Sequence, residues 1–219
     1  MTAADSALPP PVEIFGRRAS LFTRIALLFA ETLRVPWQLT HIPDMTSLDT
    51  AAYGGSPALK LPVLRVNGSM VLGTENICRA LAAMAAEHRP VHVVWPEHLP
   101  DALFRNAQEL VWHCATSQVQ LAMGTILSGL PADNIYFVKA RTGVANSLAW
   151  LDQHVDELLA ALPAGRELSL LEASLLCLLE HLVFRPTVAV APYPRLNAFV
   201  TAFAQREAAR ATIYRTEPA

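Results

Sequence analysis

Charge is scarce in this chain. Asp, Glu, Lys and Arg make up 16% of its 219 residues, well under the quarter that is usual in soluble proteins, and the basic side chains do not gather into a patch. With a net charge of -2, the sequence has no electrostatic footprint for nucleic acid. Cysteine is scarcer still. Cys78, Cys114 and Cys177 are odd in number and far apart, which gives neither a disulfide framework nor a metal-ligand spacing. Long apolar runs are missing too, because Arg, Glu, His or Pro interrupts each one well before the span of a bilayer. The opening MTAADSALPPP carries an acid, no base and no apolar segment. It reads as a flexible, proline-stiffened arm over 1–11 rather than a signal or transit peptide. A soluble, cytoplasmic, metal-free protein is expected.

What is abundant is apolar surface to bury. Hydrophobic residues make up 53% of the chain, a composition that excludes disorder over most of its length and suits a helix-rich protein or one with a sizeable apolar interface. VEIF at 12–15 reads as a strand, and apolar residues recur at helical spacing from Leu21 to Leu33 behind Ser20 as a cap. VPWQLTHI at 35–42 reads as a second strand starting near Pro36. The stretch 43–59, rich in Asp, Ser, Gly and Pro, reads mostly as loop. Val63, Leu64 and Val66 predict a strand, Asn67-Gly68 a type I′ turn, and Met70 to Leu72 the return strand. Thr74 is then expected to cap a helix with Ile77, Ala80, Leu81 and Met84 on one face.

After the proline-rich segment 89–101, strand signals stop. A first helix is expected over roughly 102 to 127. Leu148, Leu151, Val155, Leu158, Leu159 and Leu162 form a helical stripe. SLLE at 169–172 matches a capping box opening a helix to about Phe184, and Leu196, Phe199, Val200 and Phe203 form a last stripe. The expected organisation is a small mixed α+β domain over 12–88, a linker over 89–101, and an all-helical domain over 102–219.

Four stretches carry a resemblance that spans about residues 12 to 212. They are FGRRASLFTR at the first strand–helix turn, SPALKLPVL before the hairpin, TENICRAL after it, and SLLEASLL with YPRLNAFV in the helical half. Together they resemble the glutathione S-transferases, closest to the serine-using plant-type and bacterial classes. The resemblance implies an N-terminal thioredoxin-like β-α-β-α-β-β-α domain followed by a helical bundle. It implies glutathione as co-substrate, with Ser20 as the catalytic hydroxyl donating to the glutathione sulfur. Leu61 would pair its main chain with the cysteinyl unit beside a cis bond to Pro62. Glu75 would take the ligand's ammonium, Asn76 would help hold the γ-glutamyl carboxylate, and Lys60 would meet the glycyl carboxylate.

Asn76 departs from the pattern, since relatives usually carry Ser or Thr there. An amide nitrogen can also donate, but it reaches further. The turn holds no cysteine, which argues against glutaredoxin-like chemistry, and Phe15 stands where many relatives have a tyrosine. His41, Arg17 and Arg18 are weaker candidates. In the first bundle helix, Phe104, Trp112, His113 and Met123 are candidates for lining an acceptor pocket, although aromatic and Met residues at helical spacing are more often core. Because Trp112 and His113 are adjacent, they cannot point the same way. The resemblance further implies a homodimer, with Arg79 facing it, and a small hydrophobic electrophile as second substrate. Two other functions stay open: a non-catalytic interaction or ligand-carrier module, and a glutathione-dependent lyase or peroxidase.

Overall fold

Alternating burial along Val12–Gly16 sets the first sheet. In this computed structural model, which describes residues 11–99 and 101–216, Val12, Ile14 and Gly16 of that strand, β1, are buried while Glu13 and Phe15 are half-buried. The arm expected at the N-terminus lies, apart from Pro11, outside the described residues. β2 (Trp37–His41) pairs with β1 in parallel. β3 (Val63–Val66) pairs with it antiparallel, and β4 (Ser69–Leu72) extends the hairpin, giving the order β2-β1-β3-β4. Asn67 and Gly68 turn that hairpin with φ 50° and 75°, the two positive values a type I′ turn requires.

Helix α1 (Leu21–Leu33) is buried around most of its circumference, as expected of a core helix rather than a surface one. Leu21, Ile25, Leu28 and Phe29 have no exposed surface, like Ile14 and Leu64 of the sheet. Burying each such side chain contributes roughly 1.5–3 kcal/mol. Helix α2 (Thr74–Ala86) buries Ile77, Cys78, Leu81, Ala82 and Ala85. The expected stripe is therefore turned slightly, leaving Ala80 and Met84 half-buried. The loop expected at 43–59 holds one 3-10 turn, Thr50–Tyr53, started by Asp49 accepting from the Ala51 amide at 2.9 Å. That turn stands where the resemblance implied a second helix.

The second compact unit runs His92–Tyr214, and the first takes the described residues up to Val91 together with Arg215 and Thr216. The second unit contains α3 (Ala102–Leu121), α4 (Ile135–Ala161), α5 (Leu170–Phe184), α6 (Pro194–Phe203) and the short α7 (Glu207–Ala211). Two findings differ from the sequence reading. Val93–Val94 (β5) pairs in parallel with Leu168–Ser169 (β6), a contact too short to leave an alternating pattern. The helix expected to 127 stops being α at Leu121 and continues as one π turn, Ala122–Leu127. There Gly124 lies so close to Phe137 that a Cβ would sit 2.6 Å from its ring, so only glycine lets this backbone meet the ring.

Helix α5 is the centre of this unit, buried on nearly every side. Its start is a full capping box. Ser169 Oγ accepts from the Glu172 amide at 3.1 Å, and Glu172 Oε2 accepts from the Ser169 amide at 3.1 Å and its hydroxyl at 2.7 Å. Arg166 closes on the same carboxylate, with Nη2 to Oε1 at 2.6 Å and Nε to Oε2 at 2.8 Å. Burial pushes the Glu172 carboxyl up, but the hydrogen bonds of Arg166 and Ser169 and the charges of Arg166 and Arg206 outweigh it, and the net shift is downward.

A carboxylate held below its ordinary pKa stabilises the fold above the unfolded-state value, and that contribution disappears as pH falls through the folded value. Glu172→Gln is expected to cost roughly 3 kcal/mol at neutral pH, because it strands Arg166 beside a buried cap. Urea midpoints followed from neutral pH down through the carboxylate range check this, with wild type and variant converging in acid.

Candidate functional site

The strand register brings three chain segments to one edge of the first sheet. Phe15 of β1 pairs with Val63 of β3, and Val63 pairs with Leu72 of β4. One residue further, β1 ends at Gly16 and leads to Ser20. β3 begins just after the Lys60-Leu61-Pro62 segment, and β4 gives way at Gly73 to the first turn of α2, with Glu75 and Asn76. On the other side of β1, His41 pairs with Gly16. All six residues expected at a glutathione site therefore belong to loops and a helix start at one end of three adjacent strands.

The β1–α1 turn is held from within. Ser20 is half-buried, and its Oγ accepts from the Thr23 amide at 3.2 Å, making it the N-cap of α1. The Ser20 amide donates to the Arg17 carbonyl at 3.1 Å. An oxygen that accepts from the helix keeps its own O–H to give, and among the described residues no acceptor takes it. Arg17 donates to the Pro43 carbonyl at 3.2 Å, and the Arg18 guanidinium lies 5.1 Å from the Trp37 ring centroid, so both cations are engaged on the β2 side.

Before β3, Leu59 takes φ 51°, a left-handed conformation that a leucine rarely adopts. Lys60 is exposed, Leu61 half-buried and Pro62 buried. The Leu61–Pro62 peptide is cis. Among the described residues, neither the amide nor the carbonyl of Leu61 makes a main-chain hydrogen bond.

At α2 the structure corrects the expected cap. Gly73, at φ 86°, occupies the N-cap, and Thr74 is the first helical residue, so no side chain caps this helix. Glycine is there because the chain must leave β4 through a positive φ. The first closed helical bond is Ile77 to Gly73 at 3.0 Å, which leaves the amides of Thr74, Glu75 and Asn76 facing outward without an intrahelical acceptor. Glu75 Oε1 receives both Nε and Nη2 of Arg79, at 3.0 and 2.7 Å. The spacing of four made that pair legible, but the resemblance directed Arg79 to a dimer instead. Asn76 donates to the Leu72 carbonyl at 3.0 Å.

The residue that sequence reasoning missed is Thr23. It is wholly buried and covers Gly16 so closely that a Cβ there would lie 2.5 Å from its Oγ1. In the second unit, Phe104 is buried and Trp112 half-buried, while His113 is exposed and lies 3.6 Å from Glu109 one helical turn away. No described cysteine is a reactive thiol. All three are buried, and burial pushes the Cys114 thiol up to about 11, with a Ser147 hydrogen bond opposing it only in part. No helix among the described residues is long and apolar enough to cross a membrane.

This is the fold of the glutathione transferases. A glutathione transferase family member from Pseudomonas fluorescens Pf-5, solved with bound glutathione, has a TM-score of 0.72 at 20% identity, covering 94% of this chain and 100% of its own. Glutathione S-transferase III in its apo form has a TM-score of 0.71 at 18% identity, covering 96% and 100%. A glutathione S-transferase from Methylobacillus flagellatus KT, with glutathione bound, has a TM-score of 0.70 at 18% identity, covering 93% and 100%. No family model matches the sequence, and no curated protein matches it.

Gly16→Ala drives a methyl into the Thr23 side chain, an overpacking expected to cost about 1–3 kcal/mol. Thermal unfolding checks it, and pairing it with Thr23→Ala, which vacates that space, is expected to recover much of the loss.

Proposed function

We propose that this protein is a glutathione transferase that binds glutathione along the sheet edge and activates its thiol with Ser20. The observation that carries this reading is the convergence at that edge of three unspent groups: the Ser20 O–H, the main chain of Leu61, and the first amides of α2. Each suits a different part of one tripeptide. The open amide and carbonyl of Leu61 accept the cysteinyl unit as a short added strand. The α2 amides and the positive end of that helix suit the γ-glutamyl carboxylate. Glu75 Oε2, which Arg79 leaves open, suits the ammonium, and exposed Lys60 suits the glycyl carboxylate.

A free thiol near pKa 8.5 is mostly protonated at neutral pH. A hydroxyl that donates to sulfur stabilises only the thiolate and so lowers that pKa. The proton leaves to water, and the sulfur lone pair then attacks the electrophilic carbon of a small hydrophobic substrate, forming a C–S bond as the leaving group, halide in an aryl halide, departs with its bonding pair. With Asn76 engaged at Leu72, its second amide hydrogen is what it still offers the ligand carboxylate, so the main-chain amides carry more of that load. A homodimer belongs to this reading, supported by the exposed apolar side chains Leu127, Leu130, Ile135 and Tyr136 in the second unit.

One observation favours a non-catalytic binding module instead. The Glu75 and Asn76 side chains in the first turn of α2 already have partners, Arg79 and the Leu72 carbonyl. A lyase or peroxidase would share the thiol site and differ in its acceptor.

Calorimetry with glutathione separates transferase from module: binding heat is expected for the wild type, and none at millimolar ligand would favour the module. Glu75→Ala is expected to weaken binding about 10–100-fold, the worth of a charge-assisted hydrogen bond. Ser20→Ala is expected to keep binding while raising the bound thiol pKa by roughly 1–2 units, from loss of a comparable bond. Turnover of an aryl halide should fall with it, and undiminished turnover would assign sulfur activation to another group.

A further inference from the structure

We propose that Thr23 is a positioning residue for the Ser20 hydroxyl, an inference that rests on the transferase reading for its chemistry but on geometry for its cause. Three hydrogen bonds close a circuit in the β1–α1 turn. The Arg17 amide donates to Thr23 Oγ1 at 3.5 Å, the Ser20 amide donates to the Arg17 carbonyl at 3.1 Å, and the Thr23 amide donates to Ser20 Oγ at 3.2 Å. Each residue of the three gives one bond and receives one. The bonds share residues rather than polar groups, so they tie the turn into one closed ring of main chain and side chains.

The circuit fixes a direction as well as a position. Because Ser20 Oγ accepts from the Thr23 amide, its own hydrogen points away from that amide and stays free for a ligand. An ordinary N-cap needs only the bond from the Thr23 amide, and any residue at 23 supplies that. The threonine side chain adds the rest. Its hydroxyl holds the Arg17 amide, and Arg17 in turn holds the Ser20 amide. Its Cγ2 rests where a Gly16 Cβ would lie, 2.6 Å away, so the far side of the turn cannot relax into that space. The side chain is fully buried, and removing its oxygen takes this acceptor from the Arg17 amide. The Arg17–Thr23 bond is the longest of the three, so the circuit opens there first.

Thr23→Val keeps the shape and removes the oxygen, whereas Thr23→Ser keeps the oxygen and removes the methyl. In wild type, hydrogen exchange at the Arg17, Ser20 and Thr23 amides is expected to show one shared opening free energy. In Thr23→Val all three should exchange faster, and in Thr23→Ser they should stay protected. With glutathione bound, Thr23→Val should bind within about threefold of wild type but raise the thiol pKa by roughly half a unit to one unit, lowering kcat while KM stays near its wild-type value. Thr23→Ser should restore the pKa. Independent exchange of the three amides in wild type overturns the circuit without any ligand. A Thr23→Val protein that melts lower yet keeps the wild-type thiol pKa, or a Thr23→Ser protein that matches Thr23→Val, reduces Thr23 to packing. Absence of glutathione binding in wild type would defeat the transferase reading and leave the exchange result standing by itself.

Discussion

Phe15, Val63 and Leu72 lie side by side across three strands, and one residue beyond that row each strand gives way to a turn, a loop or a helix. Everything proposed for the site follows from this alignment. Side chains alternate along a strand, so a slip of one residue in β3 would turn Leu64, now fully buried, to the opposite face of the sheet. The same slip would carry Leu61 away from the end of β1 and the first turn of α2 away from both. The core that fixes the register and the groups that face the ligand are thus coupled: burying Ile14, Leu64 and Ile77 is what keeps Ser20, Leu61 and Glu75 at one edge.

Several local features of the fold were legible because their signals are local. Ser20 stands before an apolar run, Asn67-Gly68 supplies the two positive φ values of a tight hairpin, and Ser169 with Glu172 spells out a capping box. Each is decided within about four residues, and each appears in the structure where the sequence put it. The convergence of the loops needed the register, which the alternating pattern implies but does not number.

What stayed hidden depends on backbone paths or distant neighbours. Thr74 is a better capping residue than Gly73 by composition, yet the chain leaves β4 at φ 86°, and that requirement outranks the preference for a capping side chain. Within the π turn at Ala122–Leu127, Gly124 meets Phe137 from the next helix, a contact invisible in either segment alone. The β5–β6 bridge joins residues more than seventy positions apart through two pairs. Thr23 was hidden for a different reason. In a sequence its hydroxyl counts against the apolar face, and only the closeness of Gly16 turns it from a blemish into a contact.

The division of labour between main chain and side chains explains how such a site tolerates divergence. On the proposed reading, Leu61 and the first amides of α2 grip the ligand through atoms that every residue except proline possesses, so they ask for a backbone path rather than for particular side chains. The fold itself is shared with structures only 18–20% identical, so it survives the change of most side chains. Asn76 in place of Ser or Thr is then a modest alteration, because the neighbouring amides persist whatever stands there. Ser20 is different. Its own amide is already spent on Arg17, so on that reading only its hydroxyl is left to meet the sulfur. On the proposed reading the chemical burden of the site concentrates on one oxygen, and the turn that holds that oxygen is the place where small changes in packing should have the largest consequences for the reaction.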